Sequence, residues 1–186
     1  MIIASIFNYF LGFCLLEFAG IVFSAFLSDF DVFFSRYAKD HNHRNLITHS
    51  IIPSVILIIV GLLISWPALI ISGIAFFIHV FVDLFDWGTN LFYFPKKTYG
   101  PRLLMSKEEE ENLSEILSQY KNGASFFDLK YYGNKVALSI EALLFVLMIV
   151  FNIAFAFEYI LISLLYFLGL FFHLSRHYHL KKIEAK

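Results

Sequence analysis

Apolar residues run almost unbroken from Met1 to Leu27, interrupted by small or isolated polar residues such as Asn8 and Glu17. About 20 apolar residues suffice to cross a bilayer, so the pattern predicts a first span over 2–27. Its leading Met-Ile-Ile-Ala-Ser-Ile-Phe carries no positive charge. A cleaved signal peptide would need a basic start, so the segment reads as retained. Two further apolar runs, 46–65 and 67–86, are separated by Trp66 and followed by Pro67 at a helix start, where proline forfeits no hydrogen bond. They predict a tight helical hairpin. Residues 87–135 are polar, with an acidic run from Glu108 to Glu111 and several lysines, and predict a solvated region with a short helix near 106–121. Val136 to His173 is about twice the length of one span, and the polar interruption between Asn152 and Glu158 offers a place to turn. Spans over 136–152 and 157–174 follow.

The expected fold is therefore all-α: one integral membrane domain over 1–186, a helical bundle of about five spans. Cations near span ends are retained in the cytoplasm. All 14 Lys and Arg fall in 28–45, 87–135 or 174–186, and the turns at the opposite ends carry none. That asymmetry predicts an outside amino terminus, a cytoplasmic carboxyl terminus and a multi-pass protein of the cytoplasmic (inner) membrane. No internal repeat stands out.

Composition agrees. Of 186 residues 59% are hydrophobic and 16% charged, with 24 Phe and a mean hydropathy of +0.72. Soluble domains carry about 25% charged residues, so this chain has too much apolar surface for one water-soluble core. The bilayer is the first partner the composition implies. A net charge of −1 provides no polycation for phosphates, which argues against nucleic-acid binding. The single cysteine, Cys14, excludes an internal disulfide and a thiolate metal cluster.

Against this background the ionisable residues are conspicuous, because charge inside a bilayer is costly and usually marks function. Asp29 and Asp31 end the first span, His43 and His49 flank the start of the second, and His79 and Asp83 lie near the end of the third. All six are expected at similar depth. His79-Val-Phe-Val-Asp83 has the i, i+4 spacing that puts imidazole and carboxylate on one helix face, close enough to share an ion. Asp29 and Asp31 would point the same way in an extended or turn segment. Asn45 is a candidate cap for the second span, and Pro53 is expected to kink it and free the carbonyl of His49. Mixed oxygen and imidazole donors suit Zn, Mn or Fe, while the Asp-rich half suits Mg. The competing account of the same residues is a polar cluster that ties helices together.

Three motifs in this order carry a resemblance: Asp29-Phe30-Asp31, His43-Arg44-Asn45-Leu46-Ile47-Thr48-His49-Ser50, and His79-Val80-Phe81-Val82-Asp83. Over residues 29–95 the chain resembles the membrane-bound metal-dependent hydrolases, also described as LexA-binding inner-membrane-associated hydrolases. That family shows an Asp-x-Asp, a His-Arg-Gly-x-Thr-His-Ser box and a His-x-x-x-Asp. Gly88 and Phe94-Pro95 lie near the offsets of the family's Gly and aromatic-Pro pair. The chain departs from the pattern at Asn45, where the family has Gly, at Asp86, near its Thr, and at Glu17, where members often have His.

The resemblance implies metal-dependent hydrolysis at the membrane. In that setting Asp29, Asp31, His49, His79 and Asp83 are expected to hold one or two divalent ions, with His43 as a further ligand or general base. Arg44 is expected to steady a phosphate by bidentate hydrogen bonding, or to act as a positive-inside anchor. Glu141 and Asp86 are candidate outer residues of the site. Glu17 is 12 residues before Asp29, about 18 Å deeper in an unbroken helix, and could belong only to the surroundings. A site between spans at the cytoplasmic interface favours a lipid-like substrate, such as a lipid phosphoester. His173 and His177 read as a polar helix end. Two rival classes use the same residues: an ion or proton-coupled transporter, and a membrane scaffold docking a protein partner through 87–135.

Overall fold

A computed structural model describes residues 1–37, 43–93 and 98–186 of the chain, without the side chains of Val32, Phe33, Ser35, Arg36 and His43. The described residues are helical apart from turns, loops and one isolated bridge between Thr89 and Tyr99. The helices are α1 (Ile2–Leu11), α2 (Leu15–Ser24), α3 (Ile51–Leu63), α4 (Pro67–Asp86), α5 (Lys107–Glu111), α6 (Leu113–Ser118), α7 (Ala124–Gly133), α8 (Lys135–Phe155) and α9 (Leu164–Glu184). Short 3₁₀ segments cover Leu27–Tyr37, His43–Asn45, Ile47–His49 and Phe157–Ser163.

Three stretches are long and apolar enough to cross a membrane: Pro67–Asp86, Lys135–Phe155 and Phe157–Glu184. Their outer faces are apolar and open, as at Leu143, Val146, Val150, Leu165, Leu168 and Phe171. Exposed side chains of this kind suit a lipid environment.

The continuous helix expected over 2–27 is not formed. α1 and α2 have 10 residues each, about 15 Å against a hydrocarbon core of about 30 Å. Asn8, read from sequence as an isolated interruption, is the cause. Gly12 adopts φ +62°, and its N–H bonds the Asn8 carbonyl at 2.8 Å. The Asn8 side chain then accepts from the Phe13 N–H at 3.0 Å and donates to Glu158 at 2.7 Å and to the Phe155 carbonyl at 3.2 Å. The break is thus satisfied internally, as buried backbone must be. Ser5 also donates to Asn152, so α1 is fastened to the C-terminal end of α8.

The α3–α4 hairpin forms as expected. The Trp66 N–H bonds the Gly61 carbonyl at 2.8 Å and Pro67 opens α4. The two helices approach closely at Gly73, where a Cβ would lie 2.7 Å from the Ile58 side chain, and Ser54 donates to the Gly73 carbonyl at 2.8 Å. α3 is shorter than the expected 46–65. It starts at Ile51 with Ser50 as its cap, accepting from the Ile52 N–H at 3.3 Å, so Asn45 does not cap it. Pro53 consequently falls in the first turn, where no hydrogen bond is lost and no kink is required. The His49 carbonyl is not left free either, because the Thr89 hydroxyl donates to it at 3.2 Å.

The end of α4 is closed by the chain that returns over it. The N–H groups of Gly88, Leu103 and Leu104 bond the carbonyls of Asp83, Phe85 and Asp86 at 3.0, 2.6 and 2.9 Å. Gly100, at φ +126°, permits this approach, since a Cβ there would lie 1.9 Å from the Leu84 carbonyl oxygen. The helix expected near 106–121 divides into α5 and α6, started by a Ser106–Glu109 capping box. α7 then docks on α9, where Asp128 lies 2.5 Å from His177 and Tyr132 bonds His173 at 2.7 Å. These histidines join two helices rather than extending the site on α4.

Candidate metal centre

Three short pieces of chain meet at the C-terminal end of α4. α4 supplies His79 and Asp83 one turn apart. The 3₁₀ turn Ile47–His49 supplies His49, fully buried, and Leu27–Tyr37 supplies Asp29 and Asp31. The loop after α4 holds the turn in place: the Ile51 N–H bonds the Leu91 carbonyl at 2.9 Å and the Asn90 N–H bonds the Arg44 carbonyl at 3.4 Å.

His49 is the centre of the cluster. Its Nδ1 lies 3.3 Å from Asp31 Oδ2, and its Nε2 lies 2.5 Å from Asp83 Oδ2. A carboxylate only accepts, so each ring nitrogen that bonds one must carry a proton; with an ion in place of the Nε2 proton, Asp31 holds the remaining one on Nδ1 and Nε2 faces Asp83 and His79. The Thr48 hydroxyl steadies Asp31 by donating to the same Oδ2 at 2.7 Å. His79 Nε2 is 3.3 Å from Asp29 Oδ1 and 3.5 Å from Asp83 Oδ2, yet is aligned for a hydrogen bond with neither. Arg44 holds the other Asp83 oxygen, Oδ1, at 3.3 Å.

Ligand atoms of His49, His79 and Asp83 all lie within 4.8 Å of one another. Two imidazoles and one carboxylate at that separation match the donor set of zinc and related transition ions. A buried ring nitrogen left without a hydrogen bond, at His79, is what a ligand-ready site shows. The residues present therefore fit a divalent ion.

The expected ligands divide on this geometry. His49, His79 and Asp83 converge. Asp29 stands at the mouth, its side chain 54% exposed and beside His79. Asp31 lies behind the His49 ring, its Oδ2 taken up by Nδ1 and Thr48 and its Oδ1 buried without a hydrogen bond. A carboxylate behind a ligand histidine orients the ring and raises its basicity. Arg44 is at the site as expected, but paired with Asp83. The His43 backbone lies in the adjacent turn, and its side chain falls outside the described residues, as do Phe94 and Pro95.

The outer residues separate as well. Asp86 is half-buried within electrostatic reach of Asp83, Arg44 and His79. Glu141 is bound elsewhere, accepting from Tyr131 and from Tyr166. Burial and the Glu141 carboxylate push the Tyr131 phenol well above its usual range, keeping it a donor. Glu17 sits at the other end of α4, accepting from the Trp66 indole at 2.8 Å and from the Cys14 N–H at 3.0 Å. It starts α2 and takes no part in the cluster.

Thr89 and Asn90, both fully buried against the 44–49 turn, have a part the motifs do not carry. Their signal in the sequence is slight: two polar residues directly after Gly88 at the end of an apolar helix. Comparison with protein-family models, with curated proteins and with solved structures gives no match.

Proposed function

We propose that this protein is a membrane-embedded, metal-dependent hydrolase, a member of the family its motifs resemble, acting on a lipid-linked phosphoester at the cytoplasmic face. The observation that carries the reading is the convergence of His49, His79 and Asp83 donor atoms within 4.8 Å, with Asp31 behind His49. In this reading the crossings are the apolar stretch that includes α2 and ends at Leu27, then α3, α4, α8 and α9. The turns at Trp66 and Ala156 face outward together with the amino terminus. The cation-bearing segments 28–45, 87–135 and 174–186 lie at the cytoplasmic side of the inner membrane.

His49, His79 and Asp83 would hold the ion, with Asp29 as the ligand nearest the opening. What a divalent ion supplies at such a site is Lewis acidity, which activates water near neutral pH and polarises the bond under attack. The chain's own groups do the rest. Asp31 keeps the His49 proton on Nδ1, so Nε2 stays available as a donor atom. Arg44 holds Asp83 in place through Oδ1 and is assigned to steady a substrate phosphate. His43 is placed by the sequence next to Arg44 and is assigned as the proton acceptor. The loop 88–91 closes the turn that carries His49 and restricts water on that side.

Metal content of the purified full-length protein, wild type beside His79→Ala/Asp83→Ala, tests this reading. Hydrolysis of lipid phosphoesters by the metal-loaded wild type tests the substrate class.

A further inference from the structure

A groove of about 220 Å³ runs between α2, α3 and α4, lined chiefly by Leu16, Gly20, Phe23, Leu27, Leu57 and Leu69. Glu17, Ser24, Trp66 and Ser72 also line it, and three of these polar groups have partners. The Ser24 hydroxyl is engaged by the carbonyls of Ile21 and Ser72 at 2.7 and 3.0 Å. Glu17 and Trp66 close the far end by bonding each other at 2.8 Å. What remains facing the groove is chiefly hydrocarbon, so the occupant it suits is hydrocarbon.

The near end of the groove stops at Leu27, two residues before Asp29. Leu27 is the first residue of the 3₁₀ segment that carries Asp29, and the Asp29 carboxylate lies 3.3 Å from His79 at the exposed mouth of the cluster. A molecule lying along the groove and extending past Leu27 would bring its end towards Asp29 and His79. The lining runs from Leu16 to Leu27, 11 residues or about 16 Å at a helical rise. That length suits a long acyl chain, and a short-chain ester would leave most of it empty.

We infer that this groove binds the single acyl chain of a lipid whose phosphorylated head sits at Asp29 and His79. The inference rests on the hydrolase reading for its head group, but the groove has its own test. Gly20 is the position to fill, because a Cβ there meets nothing within 4 Å. Leu57, on the opposite wall, provides a second and independent variant.

The probe is palmitoyl lysophosphatidic acid carrying a diazirine near the end of its chain, added to the full-length protein in nanodiscs. Adducts are mapped by peptide mass spectrometry, and metal content is measured on the same samples. The expected result is labelling of the Leu16–Leu27 segment and its α3 and α4 neighbours, competed by unlabelled palmitoyl lysophosphatidic acid but not by the butyryl form. Gly20→Leu and Leu57→Trp should each reduce that labelling about tenfold, the scale for displacing two methylenes from an apolar site. Both should keep the metal of the wild type. Labelling indifferent to both substitutions, or spread evenly over α8 and α9, would show ordinary boundary lipid and overturn the inference while leaving the metal centre intact. Groove labelling with the expected dependence in a protein that holds no metal would uphold the acyl site and remove the hydrolase reading instead.

Discussion

Asp31 stands on the opposite edge of the His49 ring from Asp83, its Oδ2 3.3 Å from Nδ1 while Asp83 Oδ2 lies 2.5 Å from Nε2. One histidine thus separates two carboxylates with different work. Asp83 shares the cluster with His79, and Asp31 orients the ring that completes it.

Asp31→Asn should therefore weaken the site rather than abolish it. An amide can present its NH₂ to Nδ1 and so favour the wrong tautomer. The loss expected for an outer-shell partner is about 10–100-fold in metal affinity. Asp83→Asn, which changes a proposed ligand, should remove stoichiometric binding altogether. Titration of the metal-stripped proteins with zinc distinguishes the two, and equal losses would contradict the assigned roles.

Arg44 is bonded to Asp83 Oδ1 at 3.3 Å, with both side chains largely buried. Arg44→Ala leaves that carboxylate without its cation, and hydrogen bonds to charged groups contribute about 1.5–3 kcal/mol. An ion in the site would take over part of the neutralisation. Thermal melting should accordingly show a larger destabilisation of the metal-free protein than of the metal-loaded one. The same destabilisation in both forms would mean that Arg44 is an interfacial anchor only.

Gly100→Ala puts a methyl group 1.9 Å from the Leu84 carbonyl at a φ of +126°. The returning segment must then shift, and with it the cover on the last turn of α4 that carries Asp83. The expected outcome is faster proteolysis within 98–105 and reduced metal occupancy. Unchanged cleavage and full occupancy would show that the cover is dispensable.

Asn8→Ala removes the acceptor of the buried Phe13 N–H and the donor to Glu158. Leaving such groups unpaired costs about 1–3 kcal/mol. The melting temperature should fall with no change in metal stoichiometry, because Asn8 and the residues proposed to hold the ion sit at opposite ends of the helices. Loss of metal in this variant would contradict that separation.

Much of the site is legible in the sequence because ionisable groups stand out in an apolar chain. His79 and Asp83 are fixed by helical spacing, and His49 and Asp29 by lying at the ends of apolar runs. Which edge of His49 Asp31 faces is not legible, since that depends on how a 3₁₀ segment folds against a separate turn. The three longest apolar helices follow directly from hydropathy. The break at Gly12 does not, because Asn8 reads as one tolerated polar residue until Phe155 and Glu158, some 150 positions later, supply its partners. Pro53 shows the reverse effect: a residue that suggests a kink is harmless once the helix begins two residues before it.

The central claim is best tested by elemental analysis of detergent-purified wild type beside His79→Ala/Asp83→Ala, after dialysis against a weak chelator. The cluster of His49, His79 and Asp83 should retain a stoichiometric divalent ion in the wild type and lose it in the double variant. No metal in either folded protein, with re-addition failing to load the wild type, would contradict the hydrolase reading and leave the cluster as a polar tie between helices.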